Sequence, residues 1–268
     1  MDLDKIRDGT EGALKSNEQH RTVRDARAHS AVRLGLRAAA RDRGGDPPPS
    51  FRCPRKAAHV YRRVGAPFFA EFVDDILPLS YPSARMLADA LNLAQARGPI
   101  SVLDLASGSG VWGIALAQAS PHVTVHAVDW PDVLPVTRRV AERFGVGERF
   151  TVVGGDLLQA DLGGPHQVAT LGHILHSEGV ERSRALLRRT HAALAPGGTI
   201  AIAEFLVDAD RRGPMNGLIF AVNMLVNTEH GNTYSFDEIA RWLTEAGFTK
   251  PRQLPGPGPS PLILATRG

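Results

Sequence analysis

The sequence predicts an α/β fold: a mostly parallel sheet with helices on both faces and an antiparallel hairpin at one edge. Three observations carry that expectation. A strand, a glycine-rich loop and a helix follow one another across Ile100–Ala119, in ISVLDLASGSGVWGIALAQA. Short apolar runs then alternate with helix-length segments as far as Gly247. Finally, Arg252–Leu254 and Pro261–Thr266 flank the Pro/Gly-rich turn Pro255–Pro259 and supply the hairpin.

Composition bounds what this fold serves. With 268 residues, 43% hydrophobic and 22% charged, the chain is in the ordinary globular range. That length suffices for one core of about 200 residues plus an appendage. No apolar run reaches the roughly 18 residues of a membrane span, and no secretory pattern follows Met1, so a cytoplasmic protein with no membrane partner is expected. The single cysteine, Cys53, cannot close an internal disulfide, and no Cys/His cluster points to a metal. The net charge of +3 hides an asymmetry: residues 1–65 hold 15 Lys+Arg against 8 Asp+Glu, and the remainder is net acidic. The basic segment lacks the interleaved aromatics of a stacking platform, so no nucleic-acid partner is expected.

Residues 1–67 show no sustained helical or strand period and are broken by GGDPPPS at Gly44–Ser50, so this part is expected to be a poorly ordered or partly helical basic segment. Residues 68–268 form the expected domain. Helical spacing covers Phe68–Leu77, and Pro82 fits the first turn of a second helix, Ser83–Ala96. After the central unit come a strand at Val123–Val128, a helix at Val133–Phe144, and strands at Phe150–Val153 and Gln167–Leu171. A helix from about Glu178 to Leu194 should stop at Pro196-Gly197-Gly198, before a strand at Thr199–Phe205 and a helix at Leu218–Val226. Ser235 with Glu238 three residues on is a capping box opening the last helix.

Polar residues fall at the expected strand ends, where such sheets bind ligands. Gly108-x-Gly110-x-x-Gly113 with Asp129 downstream satisfies a dinucleotide fingerprint. Asp104, just before the loop, discriminates. A carboxylate there repels a pyrophosphate but holds an ammonium group. S-adenosylmethionine offers an ammonium, a sulfonium and a ribose, and no phosphate. Asp129 can accept both ribose hydroxyls, and Asp156 the adenine amine, with Trp130 and Leu157 beside the purine. His173 and His176 follow the fourth strand; two histidines without a further ligand make a weak metal site. His176 is the better general base, His173 is expected to shape the cofactor pocket, and Glu204 can orient the imidazole.

In order, LDLASGSG, AVDWPDVLP, GGDLL, GHILH, LAPGGTIAIAEF and FAVNMLVNTEHGNTYS resemble the S-adenosylmethionine-dependent O-methyltransferases of secondary metabolism, the group of caffeate-type and polyketide-tailoring enzymes. The resemblance covers about Phe68 to Thr266. It implies the Rossmann-like class I methyltransferase fold and cofactor contacts at Gly108, Gly110, Asp129, Trp130, Asp156 and Leu157. It also implies that His176 is the general base and that Asn223 and Met224 face the acceptor. Trp112, Phe220 and Met224 offer apolar surface to a small phenol or polyketide-like hydroxyl acceptor.

Three departures stand out. Ala106 replaces the family's first loop glycine, and Thr233 takes the place of a second acid beside the histidine, with Glu229 and His230 close by and the substitution by Glu229 left open. Residues 1–67 are too short and irregular for the family's winged-helix dimerisation module, so a homodimer of the family type is not assumed. An NAD(P)-dependent oxidoreductase and a non-catalytic cofactor-binding protein on this fold remain alternatives.

Overall fold

The computed structural model describes Val73 and residues 76–258 and 260–268. The basic segment, its boundary at residue 68 and most of the expected Phe68–Leu77 helix lie outside the described residues. The elements are α1 (Leu77–Ala90), β1 (Ile100–Leu105), α2 (Val111–Ala119), β2 (Val123–Asp129), α3 (Leu134–Arg143), β3 (Phe150–Gly154), β4 (His166–Gly172) and α4 (Leu175–Ala193). They continue as β5 (Leu194–Ala203), α5 (Met215–Asn227), α6 (Phe236–Glu245), β6 (Phe248–Leu254) and β7 (Leu262–Arg267).

The strands form one seven-stranded sheet in the order β3-β2-β1-β4-β5-β7-β6. β3 through β5 are parallel, and β7 lies antiparallel to both of its neighbours. The hairpin at the edge is therefore present. Chain order reverses between β1 and β4, which opens a crevice at their carboxyl ends. Alternate strand residues feed two apolar layers. Val102 and Val125 pack with Leu87, Ile114 and Val140 on one face, and Leu103, Leu171 and Ile200 with Leu186, Trp242 and Leu243 on the other. Burial on both faces explains why these strands read as unbroken apolar runs. Among the described residues, no helix is long and apolar enough to cross a membrane.

Three local expectations are corrected. Pro82 lies inside α1, whose first turn instead carries Pro78; Leu77, Ala84, Leu87 and Ala88 are buried along the helix. Packing of that face outweighs the lost backbone hydrogen bond. Pro196-Gly197-Gly198 does not precede β5 but lies within it, as an irregularity in its pairing with β4. Helix α4 begins at Leu175 rather than near Glu178, and is kinked at Gly179, where φ is 75° and ψ 169°.

Asp104 also departs from expectation. Its side chain is fully buried, Oδ1 accepting from the Thr170 hydroxyl at 2.7 Å and Oδ2 from the Gly113 N–H at 3.1 Å. It ties β1 to β4 and to the first turn of α2, and offers no surface to an ammonium group. Gly113 makes this possible, because a Cβ there would sit 2.7 Å from Val125 and 3.1 Å from the carboxylate. Burial, opposed by those two hydrogen bonds, pushes the Asp104 carboxyl up to about 7.

Two predictions follow from these positions. Ala106 has φ 52°, a left-handed conformation that glycine adopts without strain. Ala106→Gly should raise stability by about 0.5–1 kcal/mol in chemical denaturation; an unchanged or lowered midpoint would mean that the turn carries no strain. The raised carboxyl of Asp104 keeps its proton in the folded chain while the unfolded chain, near 3.8, has lost it, so its contribution falls as pH rises from about 4 to 7. Asp104→Asn can keep the Thr170 contact, since that hydroxyl also lies 3.4 Å from the Leu103 carbonyl. The variant should gain roughly 1–3 kcal/mol over the parent between pH 4 and 8; parallel pH–stability curves would refute this.

Candidate active site

The sheet register sets the site's floor. Leu105 lies beside Val128 and Leu171, Asp129 beside Gly154, and Gly172 beside Ala203, so five strand ends open on one edge. Residues 106–110 leave β1 in a tight turn closed by the Gly110 N–H donating to the Ser107 carbonyl at 2.7 Å. Gly110, with φ 78°, begins α2.

Asp129 meets this loop from β2. Its Oδ2 accepts from the Gly108 N–H at 2.8 Å and its Oδ1 from the Trp130 N–H at 2.7 Å. Each oxygen retains a lone pair for a further donor. Burial pushes the carboxyl up to about 6 against the two amides. Neither Asp129 nor Asp104 forms an ion pair with a described basic side chain. Among the described residues the cradle thus brings two buried carboxylates together with no cation against them, which suits a phosphate-free, cationic ligand and disfavours a pyrophosphate. Asp104 contributes through its field from beneath the loop, not by contact. The ribose and sulfonium of S-adenosylmethionine fit this donor set.

Asp156, beyond β3, is held by the Leu158 N–H at 2.8 Å and by the Arg182 guanidinium, whose NH2 nitrogen lies 2.9 Å from Oδ2 and 3.2 Å from Oδ1. Trp130 is 38% exposed and presents an open ring, whereas Leu157 is only 5% exposed and packs in the apolar layer under the rim. Leu157 therefore packs beneath the rim, with little of its surface exposed.

Across the crevice, β5 ends in Glu204, 2% exposed. Its Oε1 accepts from the Leu175 N–H at 2.7 Å and the His176 N–H at 3.3 Å, two free donors at the start of α4. Its Oε2 lies 2.8 Å from His176 Nδ1. A carboxylate can only accept, so Nδ1 carries the hydrogen and, in the neutral ring, Nε2 is the basic nitrogen. Burial raises the Glu204 carboxyl, but the His176 charge and hydrogen bonds outweigh it and hold Glu204 below its ordinary value.

Aromatic rings surround this pair. Phe220 from α5 meets the His176 ring edge-on at 4.8 Å, and Phe205 lies 4.2 Å from Phe220. His173, with φ 61°, lies 5.4 Å from Phe205 and shares a hydrogen bond of 2.9 Å between its Nε2 and Ser260 in the β6–β7 loop. Burial drives the His173 imidazole down to about 4, so it stays neutral near pH 7.

Other expected site residues lie elsewhere. Glu229 is exposed and its ion-pair partner is His230, at 3.7 Å, so it does not replace the missing acid. Thr233 is fully buried, its hydroxyl donating to the Gly217 carbonyl at 3.2 Å, and it anchors the start of α5. The neighbouring Asn232 N–H reaches the His176 carbonyl at 2.8 Å, a backbone tie in place of a second carboxylate. Trp112 is 4% exposed and packs in the core against Gly172, where a Cβ would collide with its indole, so it offers no acceptor surface. Met224 is buried beneath α5, while Asn223 lies on the helix's exposed flank, bonded to Asn227 at 2.7 Å. Sequence reasoning missed Phe205, Ser260 and Arg182. Only Arg182 carried a signal, its spacing four residues after Glu178.

Comparisons with known proteins bear on the family and the fold. Residues 80–249 match the family model of the O-methyltransferase domain. The chain is 32% identical over 168 residues to the tetracenomycin polyketide synthesis 8-O-methyl transferase TcmO of Streptomyces glaucescens, covering 62% of this chain and 49% of that one. It is 29% identical to the 3-hydroxy-5-methyl-1-naphthoate 3-O-methyltransferase of Streptomyces sahachiroi, covering 73% and 56%. The solved structure of PigF with SAH superposes with a TM-score of 0.69 at 26% identity, covering 81% of this chain and 64% of that one. PigF of Serratia is described as an S-adenosyl-L-methionine-dependent methyl transferase. The chain spans about half the length of the curated relatives it matches. From its class I methyltransferase sheet and this match, the chain belongs to the O-methyltransferase domain family, whose cofactor is S-adenosylmethionine.

Proposed function

We propose that the chain transfers a methyl group from S-adenosylmethionine to a hydroxyl of a small aromatic or polyketide-like acceptor, with His176 as general base. The observation that carries this reading is the 2.8 Å contact between His176 Nδ1 and the buried Glu204, which makes Nε2 the proton acceptor. Relatives that act on polyketide and naphthoate hydroxyls support the acceptor class.

Asp129 would hold the ribose, Asp156 the adenine amine, and the Gly108–Gly110 turn the backbone approach to the cofactor. When bound, the cofactor supplies an electrophilic methyl on a sulfonium. His176 takes the acceptor's proton at Nε2, and Glu204 stabilises the imidazolium that results. Phe205 and Phe220 give the acceptor an apolar wall, and their bulk limits water at the imidazole. Most of the acceleration should come from holding the two reactants in line.

His176→Ala should lower turnover by about 10²–10⁴-fold, with S-adenosylhomocysteine affinity within twofold of the parent by calorimetry. Labelled-methyl transfer to a panel of phenols measures the first quantity, and full turnover would remove His176 from the mechanism. Binding of S-adenosylhomocysteine with no transfer to any phenol by the parent would favour a non-catalytic binding protein. Glu204→Gln should reduce the plateau rate. An unchanged plateau rate would separate Glu204 from the base.

A further inference from the structure

Arg182 joins the two halves of the cleft. It projects from the body of α4, beyond the kink at Gly179. One of its terminal nitrogens contacts both oxygens of Asp156, at 2.9 and 3.2 Å, while its Nε donates to Glu178 Oε2 at 2.5 Å. Asp156 lies just past β3, at the rim assigned to the adenine, and Glu178 lies two residues after His176. At Gly179 the backbone leaves helical geometry, which kinks α4 between the His176 turn and the rest of the helix. The Arg182–Glu178 pair spans that kink.

The guanidinium's shape matters here. Its planar fork serves two carboxylates at once, which a lysine ammonium on a flexible stem does not reproduce. Among the described residues, Asp156 Oδ2 has Arg182 as its single partner, so a lone pair remains for an outside donor. The side chains of Arg182 and Asp156 are 36% and 38% exposed, a setting in which an ion pair adds little to global stability. Its consequence is therefore local.

We propose that Arg182 is a positioning residue. Through Asp156 it fixes the adenine-side carboxylate, and through Glu178 it fixes the turn that carries His176, so one guanidinium sets both cofactor affinity and base alignment. This rests on the methyltransferase reading above and adds a residue to it.

Calorimetry with S-adenosylhomocysteine, which needs no acceptor, reads the first arm, and kcat at saturating cofactor reads the second. Arg182→Ala should weaken S-adenosylhomocysteine about tenfold and lower kcat about tenfold, and Arg182→Lys should restore only part of either. In a double-mutant cycle, Arg182→Ala should add less than twofold to the binding loss of Asp156→Asn, since both act on the same contact. Glu178→Gln, which leaves the Asp156 contact intact, should keep the affinity within twofold and still lower kcat. It also supplies the test if Arg182→Ala does not fold. Parent-like affinity and kcat in Arg182→Ala, or additive losses in the cycle, overturn the proposal. A parent protein that fails to bind S-adenosylhomocysteine overturns the cofactor reading itself, and this inference with it.

Discussion

One buried carboxylate organises the candidate site. Glu204 stands where β5 ends and accepts three hydrogen bonds, two from the first backbone amides of α4 and one from the His176 ring. The same side chain thus caps a helix, joins that helix to the sheet and chooses the imidazole tautomer. Because it is enclosed, its charge depends on these donors; removing the histidine ring leaves only the amides to hold it. Structure and chemistry are coupled at this residue, and the position of Nε2 follows from how β5 meets α4.

The opposite wall obeys a different constraint. Asp104 and Asp129 are both raised by burial and have no described cation against them. Such an arrangement costs stability near neutral pH unless a ligand brings positive charge into the crevice. A fold that keeps this cost at a ligand-binding edge is consistent with a cofactor that is itself cationic. The left-handed conformations of Ala106 and His173 also cluster at this edge, one in the glycine loop and one at the end of β4. Local strain there is held by the sheet and by the Ser260 contact.

Much of this was legible in the amino-acid order. The strand–loop–helix unit, the alternation and the terminal hairpin follow from periodicity and punctuation, and Glu204 was placed beside His176 because both fall at adjacent strand ends. Other features were not readable, for identifiable reasons. Pro82 reads as a helix start, yet the buried face of α1 carries the helix through it. The Pro-Gly-Gly stretch reads as a break, but β4 accommodates it as an irregularity in the ladder. Asp104 is a strand-end acid like Asp129, and only the inward turn of its side chain toward Thr170 and Gly113 separates a structural tie from a ligand contact. Trp112 reads as exposed aromatic surface, while Gly172, distant in sequence, provides the space that buries it. Phe205 and Phe220 meet only because β5 and α5 converge, which no local pattern encodes.

Glu204 meets His176 Nδ1 at 2.8 Å, so the hydrogen of the neutral ring belongs on Nδ1 and Nε2 is left unprotonated. Nitrogen NMR of the His176 imidazole, assigned by comparison with His176→Ala, reads that tautomer directly at a pH where the ring is neutral. The expected result is a protonated Nδ1 and an unprotonated Nε2. A ring with its hydrogen on Nε2 would contradict it.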